Sequence, residues 1–579
     1  MKLSGASYIV RIIELLDAGH LFAYPGGAIL PIYDALATTS LNCVLVRHEQ
    51  AAAFAAQGYA RTLVNKPGFC LATSGPGATN LVTGIADAYA DSIPLIAITG
   101  QVATSLLGSD AFQETDITGI CMPITKKTYL LRDIYDAEKT FKEAYEVAIN
   151  GRKGPVLIDI PKDVQNAEIE LPDNWEKSFK QPEFKRVYNA HSPMIDKSID
   201  MMVKAEKPLI IAGHGILLAD AVSEFRKFIK DENIPTISTI LGIGVLEHDN
   251  PLYFSWLGMH GMKYANDAVQ EADLIIALGI RFDDRITGKL NEFAPNAKII
   301  HVDIDESEAS KNVPTNAFIH ADLKVLLKSF PSTVTKQNKE YRSKWIANLN
   351  SSRLKHPIKQ ANHKVFNMIT ALDLLNEASD NDTIVSTDVG QHQMWAGQYL
   401  NKLQPNHFLT SGGLGSMGFG LPAAMGAQAA QPNKTVWSIS GDGSFQMNLQ
   451  ELITIVQEKW PIKILILDNT YLGMVRQWQE QFYDRNYSGV NLINPNFALM
   501  AEAYGIPCLS VDNTKDYKEA LDKANQTDGP FLIHARVLKE DNVFPMVAPG
   551  ASLSETMYYP EYKEVEKIDE EAKLLENKM

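Results

Sequence analysis

Residues 436–474 constrain the fold more than any other stretch of the chain. An apolar run, Val436 to Ser440, ends in Gly441-Asp442-Gly443-Ser444. A helical pattern follows from Phe445 to about Glu458, and a second apolar run, Ile462 to Leu467, ends in Asp468-Asn469. Strand, helix and strand in that order make a parallel pair joined by a crossover, which sets both polar tips at one edge of a sheet. Ligands of open α/β sheets bind at that edge. The Asp442 carboxylate and the Asn469 amide oxygen suit a hard cation such as Mg²⁺, which takes oxygen ligands and shares them with phosphate. Gly443 and Ser444, at the start of the following helix, offer backbone N–H groups to the same phosphate. Gly-Asp-Gly alone is also an ordinary turn; the second polar tip is what makes the stretch an anchor for a metal and a diphosphate.

The rest of the chain repeats this alternation. Leu21 to Tyr24 ends in Pro25-Gly26-Gly27, Cys43 to Val46 in Arg47-His48-Glu49-Gln50, and Phe69 to Thr73 in Ser74-Gly75-Pro76-Gly77. Pro94 to Gly100 and Pro155 to Ile160 add two strands, and the Ala-rich Gln50 to Leu63 reads as a helix. A polar, Pro-containing stretch from about Leu171 to Pro193 reads as a linker. A second block, about Met194 to Ser332, carries Leu209–Ala212, Leu274–Leu278 and Ile299–Val302. The Lys-rich Thr333 to Lys364 reads as a second linker with a helix in it, and a third block runs from Val365 to about Val537. Strands alternating with helices give a parallel sheet covered on both faces. The expected fold class is therefore α/β, with three doubly wound parallel-sheet domains. The charged segment Pro560 to Met579 reads as a solvated tail or the edge of a lid.

Composition narrows the partners. The net charge is −15 with no long basic block, which argues against nucleic acid and anionic membranes. Four cysteines, none in a Cys-x-x-Cys pair, argue against a disulfide framework or a zinc site and fit a reducing, cytoplasmic setting. The N-terminal periodicity is broken by Arg11, Glu14 and Asp17, so it reads as an amphipathic helix and not a signal peptide. The uncharged runs Pro67 to Ala86 and Ser92 to Ser109 carry Gly, Pro, Ser and Thr in strand-turn-helix order and read as buried core, not as membrane spans.

The anchor resembles the cofactor signature of the thiamine diphosphate superfamily that includes pyruvate decarboxylase and acetolactate synthase, and the resemblance runs from about Ser4 to about Pro549. It implies that Asp442, Asn469 and the Tyr471 carbonyl hold Mg²⁺. Gly441, Gly443, Ser444, Leu472, Gly473 and Met474 would line the cofactor. It implies a pyrimidine-binding domain over residues 1–172, an FAD-binding domain over 190–340, a diphosphate- and Mg²⁺-binding domain over 365–545, and a lid or tail over 546–579. Glu49, in His48-Glu49-Gln50-Ala51-Ala52, matches the glutamate that hydrogen-bonds the pyrimidine ring; read alone it is also a helix-start Glu favoured by the dipole. Gly390, Gln391 and His392 resemble the loop that contacts the diphosphate. Ser411 to Gly418 resembles the loop beneath the cofactor, with Gly415 and the apolar wedge Met417. Gly413, Gly415 and Gly418 also match Gly-x-Gly-x-x-Gly, but with no clear strand before them and no acidic residue about 20 positions on, a dinucleotide fingerprint is set aside.

In the middle block, Gly213-His214-Gly215, Arg281-Phe282-Asp283-Asp284-Arg285 and Asp303-Ile304-Asp305 each follow a strand. Arg and Asp at strand tips suit phosphates and ribose hydroxyls; each group alone is also an ordinary surface ion-pair cluster. Together with Gly258, Met259, His260 and Gly261 they resemble the FAD-binding segments of the acetolactate synthase family, and Arg152 and Asp322 would join them. The resemblance implies decarboxylation of pyruvate and transfer of the two-carbon unit to pyruvate or 2-ketobutyrate, in branched-chain amino-acid biosynthesis. Arg285 would hold the second acid's carboxylate. Trp478 would favour 2-ketobutyrate, though an isolated Trp also reads as a buried helix aromatic. Gln113, Lys162 and Met474 match further active-site positions. The family implies a homodimer or tetramer with sites between subunits, and a separate regulatory subunit. A fermentative acetolactate synthase, a pyruvate oxidase and a catalytically dead flavin-binding regulator are the alternatives; the last predicts damage at Glu49, Asp442 or Asn469, and there is none.

Overall fold

Short runs of apolar, β-branched residues suit strands with both faces covered, and the chain uses them as the centres of three six-stranded parallel sheets. A computed structural model describes residues 1–187 and 193–559. Segment 560–579, read above as a tail, lies outside the described residues, as do 188–192 of the first linker.

The first sheet contains β1 (His20–Ala23), β2 (Asn42–Leu45), β3 (Gly68–Ala72), β4 (Leu95–Gln101), β5 (Lys127–Leu130) and β6 (Pro155–Pro161), in the spatial order 2-1-3-4-6-5. The second contains β7 (Pro208–Ala212), β8 (Thr236–Ser238), β9 (Tyr253–Trp256), β10 (Leu274–Leu278), β11 (Lys298–Asp303) and β12 (Ala317–His320), in the order 9-8-7-10-11-12. The third contains β13 (Ile384–Thr387), β14 (Phe408–Leu409), β15 (Val436–Gly441), β16 (Lys463–Asp468), β17 (Cys508–Val511) and β18 (Phe531–Arg536), in the order 14-13-15-16-18-17. The outer two sheets thus share one topology, and the middle one has the strand order of dinucleotide-binding folds. A two-stranded antiparallel pair, Lys2–Ser4 with Glu168–Glu170, ties the N-terminus to the end of the first domain. Among the described residues, no helix is long and apolar enough to cross a membrane.

The outer domains meet through the Glu49–Thr62 and Gly420–Ala430 helices, whose backbones touch. A Cβ on Gly58 would overlap the Ala423 carbonyl, and one on Gly426 would overlap the Ala55 carbonyl. Only glycine allows that approach, and the alanines around these positions keep the rest of the seam thin.

Two expectations need correction. The continuous helix from Phe445 to Glu458 is three pieces: a single turn Asp442–Phe445, a 3₁₀ turn Leu449–Glu451 and a helix Leu452–Gln457. The break falls at Asn448, which is buried and donates its side-chain amide to the Gly418 carbonyl at 2.7 Å. Gly443 and Ser444 therefore sit on one turn, not on a long helix with a sizeable macrodipole. A strand, β14, does precede the Gly413–Gly418 run, and the Gly420–Ala430 helix follows it, so that ground for setting aside a dinucleotide fingerprint fails. The missing acidic residue and the strand order of this sheet still set it aside.

Candidate active site

Strands β15 and β16 are hydrogen-bonded neighbours, with Gly441 opposite Leu467, so Asp442 and Asn469 leave the sheet side by side. Both are buried. The Asn494 side-chain amide donates to Asp442 Oδ2 at 2.7 Å and to Asp468 Oδ1 at 2.9 Å, and His534 Nε2 lies 2.8 Å from Asp468 Oδ2. Burial, with the neighbouring Asp468 adding to it, pushes the Asp442 carboxyl up to about 7. Asp468 is held below its usual range: burial opposes this, but the bonds from His534 and the Thr470 amide outweigh it. Two buried carboxylates with one neutral amide between them are a poor pair without a cation and a good one with it. That charge balance, with the Asn469 amide oxygen and the Tyr471 carbonyl on the same turn, fits a divalent metal.

The same edge gathers most of the expected diphosphate contacts. Gln391 accepts from the Asn469 side chain at 3.3 Å and donates to Gln477 at 3.0 Å. His392 Nε2 accepts from the Gly441 amide at 3.3 Å, and burial lowers its pKa to about 3, so the ring is neutral. A Cβ on Gly473 would run into Gln391 Oε1, and one on Gly443 would come 2.8 Å from Leu472. Asn494, Asp468 as a supporting carboxylate and His534 had no role in the sequence reading. Asn494 sits in the loop before the Phe497–Ala503 helix, and no local pattern marks it.

Glu49 opens the Glu49–Thr62 helix, capped by the His48 side chain. It is 7% exposed, and Asn80 donates to its Oε2 at 2.9 Å. Oε1 faces the turn after β3, where a Cβ on Gly77 would lie 3.1 Å from it. Gln113, at φ +59°, packs over Gly75 of the same turn. Lys162 is exposed at the start of the Lys162–Asn166 helix. Among the described residues, no hydrogen bond or ion pair links Glu49, Gln113 or Lys162 to Asp442 or Asn469.

A cavity of about 680 Å³ opens at the point where the middle sheet's strand order reverses, between the ends of β7 and β10, and reaches the third domain. Of the expected flavin residues, Arg152, Gly215, Met259, His260, Arg281, Asp283, Arg285, Asp303 and Asp322 line it. Gly213, Gly258 and Gly261 lie behind the wall, where close backbone packing requires them: a Cβ on Gly213 would overlap the Gly279 carbonyl. Arg152 is 3.2 Å from Glu308 and 3.4 Å from Asp305, and Arg281 is 3.7 Å from Asp283. Burial raises Asp283. Asp322 is largely committed, since it pairs with Arg186 at 2.8 Å and caps the Leu323–Ser329 helix. From the third domain, Gly390, Gly415, Met417, Met474 and Trp478 close the far end. Trp478 Nε1 and His260 Nδ1 are buried without a hydrogen-bond partner among the described residues, and burial keeps His260 neutral by lowering it to about 4. Unpaired buried polar atoms beside arginines at a switch point fit a bound dinucleotide.

Three family profiles match the chain: the N-terminal TPP binding domain of thiamine pyrophosphate enzymes over residues 3–120, their central domain over 195–330, and their C-terminal TPP binding domain over 388–535. The chain is a thiamine pyrophosphate enzyme, and its three sheets are the family's three domains. The acetolactate synthase isozyme 2 large subunit of Escherichia coli (strain K12) is 45% identical over 563 residues, 96% of this chain and 99% of the relative. The acetolactate synthase large subunit of Cyanidium caldarium is 43% identical over 568 residues, 96% of each chain. That of Corynebacterium glutamicum is 42% identical over 569 residues, 96% of this chain and 90% of the relative. The chain belongs to the acetolactate synthase large-subunit family.

Proposed function

We infer that the chain is the catalytic subunit of an acetolactate synthase, which decarboxylates pyruvate and joins the two-carbon unit to a second pyruvate or to 2-ketobutyrate. The observation that carries this is near full-length identity with the acetolactate synthase large subunits, with Glu49, Asp442 and Asn469 all in place. Thiamine diphosphate, when bound, supplies the nucleophilic carbon and the electron sink for loss of the carboxyl group. Asp442, Asn469 and the Tyr471 carbonyl would hold Mg²⁺ there, and Gln391 and His392 would line the diphosphate site beside them. Glu49, its carboxyl oriented by Asn80, holds a proton at the pyrimidine ring. Arg152, Arg281 and Arg285, which line the cavity of the middle domain, would hold FAD there, with Arg285 also able to reach the substrate. Trp478 and Met474 form the apolar wall that meets the second keto acid's side chain, and Arg285 its carboxylate.

We propose further that the thiamine site closes between two copies: among the described residues no hydrogen bond or ion pair links Glu49 to Asp442 or Asn469, and the surfaces around each half support pairing. Beside Gln113, Phe112 is 88% exposed; beside Asn494, Ile493 is fully exposed and Tyr483 is 62% exposed. Large apolar side chains around two complementary polar half-sites are what a symmetric dimer interface buries. A tetramer and a separate regulatory subunit extend the same reading. Four free cysteines support a reducing, cytoplasmic location.

The test is product identity. Purified protein given pyruvate, thiamine diphosphate and Mg²⁺, with and without FAD, should yield acetolactate. Acetaldehyde or acetyl phosphate in its place would refute the reading.

A further inference from the structure

The loop that carries Met417 is gripped from two domains, and the second grip is unexplained by cofactor binding. Within its own domain, Asp388 accepts from the Gly418 amide at 2.8 Å and from the Gly420 amide at 3.2 Å. From the N-terminal domain, two carboxylates of the Val82–Asp91 helix reach across. Asp87 Oδ1 accepts from the hydroxyls of Ser411 and, at 3.0 Å, Ser416. Asp91 accepts from the Gly413 amide at 2.6 Å and the Gly412 amide at 3.1 Å. Both carboxylates are buried, and Arg61 pairs with Asp91 at 2.6 Å and lies 3.8 Å from Asp87.

The middle domain touches the same junction. His214 Nδ1 lies 3.1 Å from the Asp91 carbonyl, and Arg152 of the N-terminal domain donates to Ser92 at 2.9 Å while pairing with Glu308 of the middle domain at 3.2 Å. A Cβ on Gly412 would come 2.7 Å from Leu241. His214, Leu241, Arg152 and Asp91 all line the flavin half of the cavity, and Met417 lines its thiamine end. The last turn of one helix therefore meets the flavin wall on one side and the thiamine loop on the other.

We propose that Asp87 and Asp91, held by Arg61, are positioning residues that set the Ser411–Met417 loop, so that occupancy of the flavin half of the cavity is transmitted to the thiamine half. The inference rests on the reading of both cofactor sites given above. Buried, hydrogen-bonded carboxylates are stiff, because any shift of the loop leaves charge unpaired. A ligand that fixes the flavin wall thus fixes the loop, and the coupling must be reciprocal.

The experiment measures thiamine diphosphate affinity at saturating Mg²⁺ by tryptophan fluorescence, with and without saturating FAD, and FAD affinity by flavin fluorescence. In the wild type, FAD should tighten thiamine diphosphate binding about tenfold, within the usual range of coupling between sites. Ser411→Ala removes one hydroxyl from Asp87, and Asp91→Asn removes the charge that faces Arg61. Each should cut that factor to about twofold or less while FAD still binds. A merely structural role would weaken both ligands and lower Tm but leave the factor as it was. Wild type that binds both cofactors without coupling, or a full factor surviving in both variants, overturns the inference alone. Wild type that binds no FAD overturns the functional reading and the inference with it. Should Asp91→Asn not fold, Ser411→Ala by itself decides.

Discussion

The metal anchor should make cofactor binding depend on pH in a way that one residue controls. Burial, with the neighbouring Asp468 adding to it, lifts the Asp442 carboxyl from 3.8 to about 7, so the ionised form is disfavoured in the cation-free chain. The sign follows from linkage. A raised carboxyl contributes stability that is full below 3.8 and is lost as pH climbs through about 7. A bound cation replaces the proton, so binding gains over the same window. The ionised fraction of Asp442 therefore rises between pH 6 and pH 8, so metal-dependent binding of thiamine diphosphate should tighten over that window, by up to about tenfold per pH unit for a single proton released. Titration calorimetry at pH 6, 7 and 8, in buffers of different ionisation enthalpy, measures both the affinity and the proton released. The ligand's own terminal phosphate titrates near pH 6, so Asp442→Asn is the control, and whatever slope it keeps belongs to the ligand. Equal slopes in the wild type and the variant would refute the assignment of the proton to Asp442.

Three further outcomes follow from the geometry. Glu49→Gln keeps the shape that Asn80 orients and loses the proton-holding role, so turnover and C2 proton exchange on the cofactor should fall about 10²–10⁴-fold with cofactor affinity largely kept; an unchanged exchange rate removes Glu49 from the mechanism. Trp478→Leu opens the wall that meets the acceptor's side chain, and one methylene in an apolar pocket is worth about 1–3 kcal/mol. The preference for 2-ketobutyrate over pyruvate should drop about tenfold or more, and unaltered product ratios from mixed substrates would overturn that role. Gly58→Ala and Gly426→Ala each push a methyl into a carbonyl of the facing helix, at about 1–3 kcal/mol apiece. Thermal unfolding should show two similar losses and a double variant less destabilised than their sum; one tolerated and one lethal substitution would contradict the seam.

How much of this the sequence carries depends on where each residue packs. Strands such as Gly68–Ala72, Leu95–Gln101 and Leu274–Leu278 are buried along their whole length, and two covered faces leave an unbroken apolar run to read. Edge strands do not. Lys127–Leu130 and Cys508–Val511 have mixed exposure, and Phe408–Leu409 is two residues long, so their sequences look like loop. Strand order is invisible for a different reason: it depends on which runs pair, not on what each contains. The same holds at the site. The tips of two neighbouring strands, Asp442 and Asn469, are close in sequence and legible. Asn494 reaches Asp442 from another loop and His534 reaches Asp468 from β18, and the loop groups that Asp87 and Asp91 bind lie more than three hundred residues away. The helix break at Asn448 was missed because its cause, the Gly418 carbonyl, is equally a matter of tertiary contact.

The contact between the outer domains has a symmetry that bears on where the thiamine site closes. Gly58 meets Ala423, three residues before Gly426, and Gly426 meets Ala55, three residues before Gly58. Each helix follows the second strand of its sheet, and both sheets have the order 2-1-3-4-6-5. Equivalent elements in reciprocal contact are the mark of an isologous pair, here made between two domains of one chain. Such a contact uses up the helices after the second strands; Arg47 and Glu451 bond across the two ligand edges at 2.8 Å, but Glu49 on one edge has no hydrogen bond to Asp442 on the other among the described residues. In the proposed function the cofactor draws on a second pairing of the same two kinds of domain. In the proposed dimer a two-fold axis supplies it twice over, since each copy presents one edge of each kind. The exposed Phe112 and Ile493 beside those edges are accounted for by the same closure, and the chain by itself would carry both halves of the chemistry without completing either site.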